Sequence, residues 1–580
     1  MKTRTYQKQK IVFVLVVMLI LFGILITRIV YLMIYRSEYY NERARDVQER
    51  ERTIPAERGN IFDRNGTALT FNQSVCTILV IHNQITDPER VIEVLAKELD
   101  MDEADVRKRV EKKSSIEKIS SKVSEEIGDR IRSLQLDGVM VDEDYTRYYP
   151  YEHFASKILG FTGGENQGII GLEVKYNDYL QGDAGTLYTV TDVRGIAVEN
   201  SVETRKDPVK GENLVISLDY NIQAYVTQVA ERVLEQKQAK SVSVILMNPQ
   251  NGEIYAMVNV PEFNLNEPFI LNFESEEDQT KESLLNQMWR NGCINDTYEP
   301  GSTFKIITAT SAFEHGLIHV TDMFSCPGYR IVADRKIRCH KTGGHGTVTF
   351  TEGFMNSCNP VFMDVGARVG IDSLYETFEC LGLFEKTGVD LPGEAVSIMH
   401  QKENVGAVEL ATISFGQSFQ ITPLQLLRAV SAVINGGTLV TPHLGMYTLN
   451  DQGERIHTFE YPVETNVLFQ ETSQTMKELL GLVVSEGTGK NGQVEGFSVG
   501  GKTATSQKLP RSERKYISSY IGFSSVDDPK IIGILLIDEP EGAYYGGTVA
   551  APVMGEIYEM VLPYLFPEDK QSEIEGNTLQ

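Results

Sequence analysis

The chain has 580 residues, a formal charge of −25 and a hydrophobic fraction of 41%, with 26 tyrosines and 24 phenylalanines. That suffices for two or three domains, each with its own core, and argues against a disordered polymer. The acidic balance argues against nucleic acid as a partner, because binding phosphates needs concentrated Lys and Arg.

The first ten residues carry Lys2, Arg4, Lys8 and Lys10 and no acid. Ile11 to Tyr35 follows with one charge, Arg28. At about 1.5 Å per residue this stretch crosses a bilayer, with Arg28 snorkelling to the far face. No A-x-A-like cleavage site follows, and the run exceeds a usual signal-peptide core, which favours an uncleaved anchor. Basic residues ahead of the span place 1–10 in the cytoplasm and 37–580 outside, in a single-pass membrane protein held in lipid by residues 11–35.

The stalk NERARDVQERERTIPAERG is expected to be helical and to turn extended at Pro55. Residues 36–205 read as a pedestal of short strands with a helical insert at about 85–140. There, DPERVIEVLAKEL and EADVRKRVEKK place apolar residues at helical spacing among charges. A glycine-rich segment, Tyr148 to Gly185, closes the pedestal.

Residues 206–565 read as one domain. NLVISLDYNIQ opens as a strand, with Asp219 as N-cap of the next helix. SVSVILMNPQNGEIYAMVNV reads as two strands about an Asn251–Gly252 turn. GFSVGGKTATSQ, YISSYIGFSS and KIIGILLID add three more. Five strands split between the domain's two ends, with helices between them, predict an antiparallel sheet packed by helices, an α+β class. Residues 566–580 form a polar tail.

Between those ends lie the residues with chemistry. In YEPGSTFKIITATSAF, Pro300 and Gly301 break the chain and an apolar-periodic helix begins. Ser302 and Lys305, three apart, share one face of it. A helix N-terminus favours an alkoxide-like nucleophile and its oxyanion, and a neutral lysine amine takes a serine proton without a histidine. On this stretch alone, a capping serine and a solvated lysine explain the pattern equally well. Cys326 and Cys339 flank CPGYRIVADRKIRC, and with His340 and His345 adjacent a zinc site is conceivable. The spacing matches no usual finger pattern, which favours a Cys326–Cys339 disulfide or free thiols.

NSCNPVF supplies Ser357 and Asn359; Pro360 suits the first turn of a helix capped by Asn359. In VGGKTATSQK, Lys502 follows two glycines and starts a strand able to pair with an extended peptide. A literal Lys341-Thr342-Gly343 lies in a glycine-rich turn ahead of Ser357. Ser-x-x-Lys, then Ser-x-Asn, then a Lys-Thr strand is the order of penicillin-binding proteins and class A β-lactamases. Lys502 obeys that order and Lys341 does not.

On these motifs, with RGNIFDRNGTAL, GIIGLEVKYNDYLQG, ISFGQSFQITPLQL and FSSVDDPKIIGILLIDEP, the chain resembles a class B penicillin-binding protein, from the anchor to about residue 565. The resemblance implies a membrane-anchored serine D,D-transpeptidase that cross-links peptidoglycan stem peptides and is acylated by penicillin and other β-lactams. It implies that Ser302 is the acylated nucleophile and Lys305 its base. Ser357, steered by Lys502, passes a proton to the leaving D-alanine. Asn359 holds Lys305 and the substrate amide. Thr503 and Thr505 bind the terminal carboxylate, and the backbone N–H groups of Ser302 and Thr505 form the oxyanion hole. It calls for no metal or organic cofactor, and implies a polytopic glycan polymerase as partner.

The rivals are an inactive scaffold, a β-lactamase or sensor, and a D,D-carboxypeptidase. No catalytic side chain is lost, no deacylating base is identifiable, and anchor and pedestal favour the transpeptidase. Position 504 departs from the family, with alanine for the usual glycine. Its methyl is expected to crowd the helix carrying Ser302, a strain of about 1–3 kcal/mol unless neighbours repack, altering β-lactam affinity while sparing activity.

Overall fold

The computed structural model describes residues 2–40, 49–113, 116–190, 204–273 and 279–567. Stalk residues 41–48 and tail residues 568–580 lie outside the described residues. Lys2–Val30 is one helix, continued by a π turn at Tyr31–Tyr35. Within it, Lys8–Tyr35 has a mean hydropathy of 2.9, long and apolar enough to cross a membrane.

Where the stalk is described, the expected helix is corrected. Glu49–Ile54 is a strand already before Pro55, antiparallel to Gly185–Val190, which also pairs with Thr204–Lys206. A partner remote in the chain supplies the hydrogen bonds and overrides the local preference.

Met1–Glu57, Gln73–Thr146 and Gly182–Gly211 form one compact unit. Its insert is not purely helical. Pro88–Glu98, Glu103–Val110 and Glu125–Ser133 are helices, but Glu117–Ser124 is a strand paired with Phe71–Val80. Its inward residues, Ile119 and Val123, are four apart, a spacing that helix and strand share.

Arg58–Asn72, Arg147–Gln181 and Glu212–Gln580 form the second unit. Packing therefore divides the chain differently from a cut at residue 205. Arg147–Gln181 is tied to Glu212–Gln580 by contacts such as Lys157 Nζ donating to the Asn259 carbonyl at 2.9 Å and the Tyr176 hydroxyl donating to Asp390, and to Arg58–Asn72 by Arg58, Arg147 and Glu173. The Arg58 and Arg147 Nε atoms each donate to a different Glu173 carboxylate oxygen at 2.6 Å, and the Glu173 side chain is fully buried. Burial favours the neutral acid, but the two guanidiniums outweigh it and hold the Glu173 carboxyl below its usual range.

The second unit is built on a sheet of β1 (Ser241–Met247), β2 (Ile254–Val260), β3 (Val499–Gln507), β4 (Tyr516–Ser524) and β5 (Ile531–Asp538). Its order is β2-β1-β5-β4-β3, with every neighbouring pair antiparallel. Alternation assigns the two faces. Ile531, Leu535 and Ile537 of β5 join the cluster of α1 (Tyr220–Lys237) and the C-terminal helix Gly546–Leu565. Ile532, Ile534 and Leu536 join the cluster of α2 (Lys305–Glu314). Asp219 caps α1 as expected, accepting from the backbone N–H groups of Asn221 and Ile222.

Candidate active site

Gly301–Phe304 is a 3-10 turn that runs into α2. In a 3-10 turn, side chains three apart eclipse, which stacks Ser302 and Lys305 along one line. No side chain caps either segment, so the Ser302 hydroxyl is not spent on capping. Lys305 to Ala312 are all buried, so α2 is a central helix wrapped on every side. Phe304 anchors its start edge-on to Phe378 and Phe419, at centroid distances of 5.2 and 4.5 Å.

Lys305 is fully buried. Its Nζ donates to the Ser357 carbonyl at 2.7 Å and to Asn359 Oδ1 at 2.7 Å, and lies 3.2 Å from Ser357 Oγ. Burial pushes the amine down to about 7, with the neighbouring Cys358 and Cys339 opposing the shift. A neutral amine has two N–H donors and one lone pair. The two carbonyl oxygens take the donors and leave the lone pair for a hydroxyl proton.

Ser357 holds φ +53°, a left-handed conformation costly for a residue with a side chain. The helix α3 (Asn359–Cys380) begins one residue earlier than expected. Cys358 occupies the N-cap position, with no side-chain cap bond, so Asn359 is not the cap. Its side chain is instead committed to Lys305, and its Nδ2 donates to the Arg338 carbonyl at 3.3 Å.

Lys502 sits in β3, the sheet's edge strand, and is fully buried. Its Nζ donates to the Thr503 carbonyl at 3.2 Å, and burial followed by repulsion from Lys305 lowers its basicity strongly. Thr503 Oγ1 donates to Thr488 Oγ1 at 3.3 Å, and Thr505 Oγ1 accepts from the Gly546 N–H at 2.9 Å. Ser302, Ser357, Asn359, Thr503 and Thr505 line one cleft of about 500 Å³, while Lys305 and Lys502 lie outside its lining.

The expected crowding by Ala504 is not found. Gly301 has φ +58°, and a Cβ built on it would stand 3.6 Å from Ala504 Cβ, an ordinary contact, but 2.4 Å from Ser506 Oγ. The bare glycine makes room for the Ser506 hydroxyl. Gly416 in turn lets the Gly301 backbone approach, since its Cβ would strike the Gly301 carbonyl oxygen at 2.0 Å. The Gly301 N–H donates to the Gly416 carbonyl at 2.8 Å, which fixes the turn bearing Ser302.

Thr488, Tyr544 and Tyr545, to which the sequence assigned no role, also line the cleft, as does His340, which the sequence had offered only as a conceivable zinc ligand. They stand in loops without a repeating pattern, and only packing brings them in. Of the two states expected for Cys326 and Cys339, disulfide or free thiols, the structure has free thiols, as at the other four cysteines. A third thiol, Cys358, joins Cys326, Cys339 and His345.

Residues 242–559 match the penicillin-binding protein transpeptidase domain, and residues 53–216 the penicillin-binding protein dimerisation domain. Stage V sporulation protein D of Bacillus subtilis is 38% identical, covering 98% of this chain and 88% of its own length. The peptidoglycan D,D-transpeptidase FtsI of Escherichia coli K12 is 27% identical, over 88% of this chain and 84% of its own. A peptidoglycan synthetase from Bifidobacterium adolescentis superposes with a TM-score of 0.71 at 20% identity, covering 89% of this chain and 97% of its own.

Proposed function

The chain belongs to the class B penicillin-binding proteins, which join a dimerisation domain to a transpeptidase domain, and from that premise we propose that Ser302 is the nucleophile of its acyl transfer. The enzyme is a peptidoglycan D,D-transpeptidase that binds β-lactams. The observation that carries the assignment is the buried Lys305 amine, held by Ser357 and Asn359 next to the turn bearing Ser302.

Ser302 Oγ attacks the carbonyl between the terminal D-alanines of a stem peptide, and its proton passes to neutral Lys305. The developing oxyanion lies against the N–H groups of Ser302 and Thr505. Ser357, poised by Lys305 and Lys502, delivers its proton to the departing D-alanine nitrogen and takes in its place the proton that Lys305 received from Ser302, and the C–N bond breaks to leave an ester on Ser302. Thr503 and Thr505 hold the terminal carboxylate, which β-lactams imitate. The amine of a second stem then attacks the ester, forming the cross-link and returning the proton to Ser302. A stem-peptide thioester offered with an amine acceptor tests this: wild type transfers the acyl group, and Ser302→Ala does not. Transfer by Ser302→Ala at the wild-type rate would remove Ser302 from the role.

Residues 206–565 carry the transpeptidase chemistry and 36–205 the pedestal, apart from Arg58–Asn72 and Arg147–Gln181, which pack with the catalytic residues, and a glycan polymerase meets the anchor and pedestal. A chain starting at 206 loses penicillin binding, because Arg58–Asn72 and Arg147–Gln181 pack in the catalytic unit. Retained binding would make 205 a true folding boundary. Co-purification with the polymerase, lost when residues 11–35 are exchanged for an unrelated span, tests the partner.

The N-terminus is cytoplasmic and the catalytic unit extracytoplasmic. Alkaline phosphatase fused after residue 580 is then active, whereas an inactive fusion on an inserted protein would reverse the topology.

A further inference from the structure

Cys326 ends the strand Met323–Cys326, Cys339 follows Arg335–Arg338, His345 precedes Gly346–Thr349, and Cys358 precedes α3. These segments bring one ligand atom from each residue to within 4.8 Å of all the others. Zinc bonds of about 2.3 Å to sulfur and 2.0 Å to nitrogen, at tetrahedral angles, set neighbouring donors roughly 3.5–3.8 Å apart. The His345 Nδ1 atom lies 3.6 Å from both Cys326 Sγ and Cys339 Sγ.

We propose that Cys326, Cys339, His345 and Cys358 bind one zinc ion as a structural site. Three thiolates and an imidazole select zinc over magnesium, calcium or manganese, which prefer oxygen. The three cysteines are buried, so the site is closed, as structural zinc sites are. Packing alone asks for buried thiols but not for an imidazole among them.

The loops are shaped to hold the cluster. Gly344, at φ +77°, would put a Cβ 2.2 Å from the Cys326 carbonyl oxygen, and Gly328, at φ +93°, would put one 2.3 Å from that of Thr342. Only glycine lets the two backbones approach this closely. The literal Lys341-Thr342-Gly343 is thus part of the loop between Cys339 and His345.

The consequence rests on the function proposed above. Cys358 stands between Ser357 and Asn359, so a bond from its sulfur to zinc clamps both to the strands that carry Cys326 and Cys339. It also holds Ser357 in its left-handed conformation. In this capacity Cys358 is a positioning residue.

The test uses the full-length protein in detergent. Elemental analysis is expected to give about one zinc per chain. Cobalt introduced after chelation is expected to give thiolate charge-transfer and tetrahedral d–d bands, absent in Cys326→Ser and His345→Ala. Those variants risk misfolding, so stripped and reloaded wild type supplies the second readout. Stripping is expected to slow penicillin acylation of Ser302 at least about tenfold, and zinc to restore it. Protein without bound metal and without cobalt bands overturns the site, as does iron in its place or a Cys326–Cys339 disulfide found by peptide mass. Bound zinc whose removal leaves acylation unchanged overturns the clamp. Zinc-loaded protein that never labels at Ser302 counts against the catalytic assignment instead, and leaves the site standing.

Discussion

Lys305 converts a common tripeptide spacing into chemistry. Its ammonium form has no lone pair, so only the neutral amine accepts the Ser302 proton. With burial pushing the amine down to about 7, the neutral fraction grows as pH rises through that value. The second-order rate of acylation by a β-lactam therefore climbs between about pH 6 and 8 and levels off above. A stopped-flow profile flat across that window would exclude Lys305 as the titrating base. Lys305→Ala lowers the plateau by about 10²–10⁴-fold. Ala504 makes a different argument. Its methyl has ordinary contact room opposite Gly301, so Ala504→Gly leaves acylation within about twofold and costs roughly 0.5–1 kcal/mol of stability through strand entropy. A much larger change in acylation on restoring the glycine would revive the crowding account. Ser302, Lys305, Ser357, Asn359 and Lys502 stand out as candidates because each sits in a short contiguous pattern and the patterns follow a required order. Cys326, Cys339 and His345 stand together in the sequence as a conceivable zinc site, but with His340 in the place of Cys358, because no sequence spacing encodes which of several separate segments converge.

At the scale of elements, the sheet was legible from short apolar or alternating runs set off by turn residues. Ile531 to Ile537 supply both helix-covered faces in turn, and Asn251–Gly252 marked the hairpin of β1 and β2. Glu49–Ile54 and Glu117–Ser124 were misread, since both are rich in charge, and Glu117–Ser124 buries only Ile119 and Val123, too weak an alternation to outweigh helix-like composition. The Arg58–Glu173–Arg147 cluster binds two remote segments of one unit, and no local signal announced it. Glu173→Ala leaves two buried guanidiniums without their shared carboxylate, and is expected to cost about 3–5 kcal/mol by denaturant unfolding. The depressed Glu173 carboxyl sets the pH sign. Its contribution is present above the ordinary glutamate range and is lost as pH falls through the lower folded value. A loss under about 1 kcal/mol in Glu173→Ala would show the cluster to be dispensable.

At the scale of the whole molecule, the catalytic unit, assembled from non-consecutive segments, was the feature hardest to read from sequence. The anchor announced itself through length and basic flank. The membership of Arg58–Asn72 and Arg147–Gln181 in the catalytic unit did not, because it depends on buried contacts across more than a hundred residues of chain, such as Tyr176 with Asp390. The central claim is that these parts deliver an activated serine at position 302. The measurement that tests it most directly is incubation of the full-length protein with a fluorescent penicillin, followed by peptide mass mapping of the adduct. The account predicts one covalent label, on Ser302, abolished in Ser302→Ala and weakened in Lys502→Ala; a label on another residue, or an undiminished label in Ser302→Ala, would contradict it.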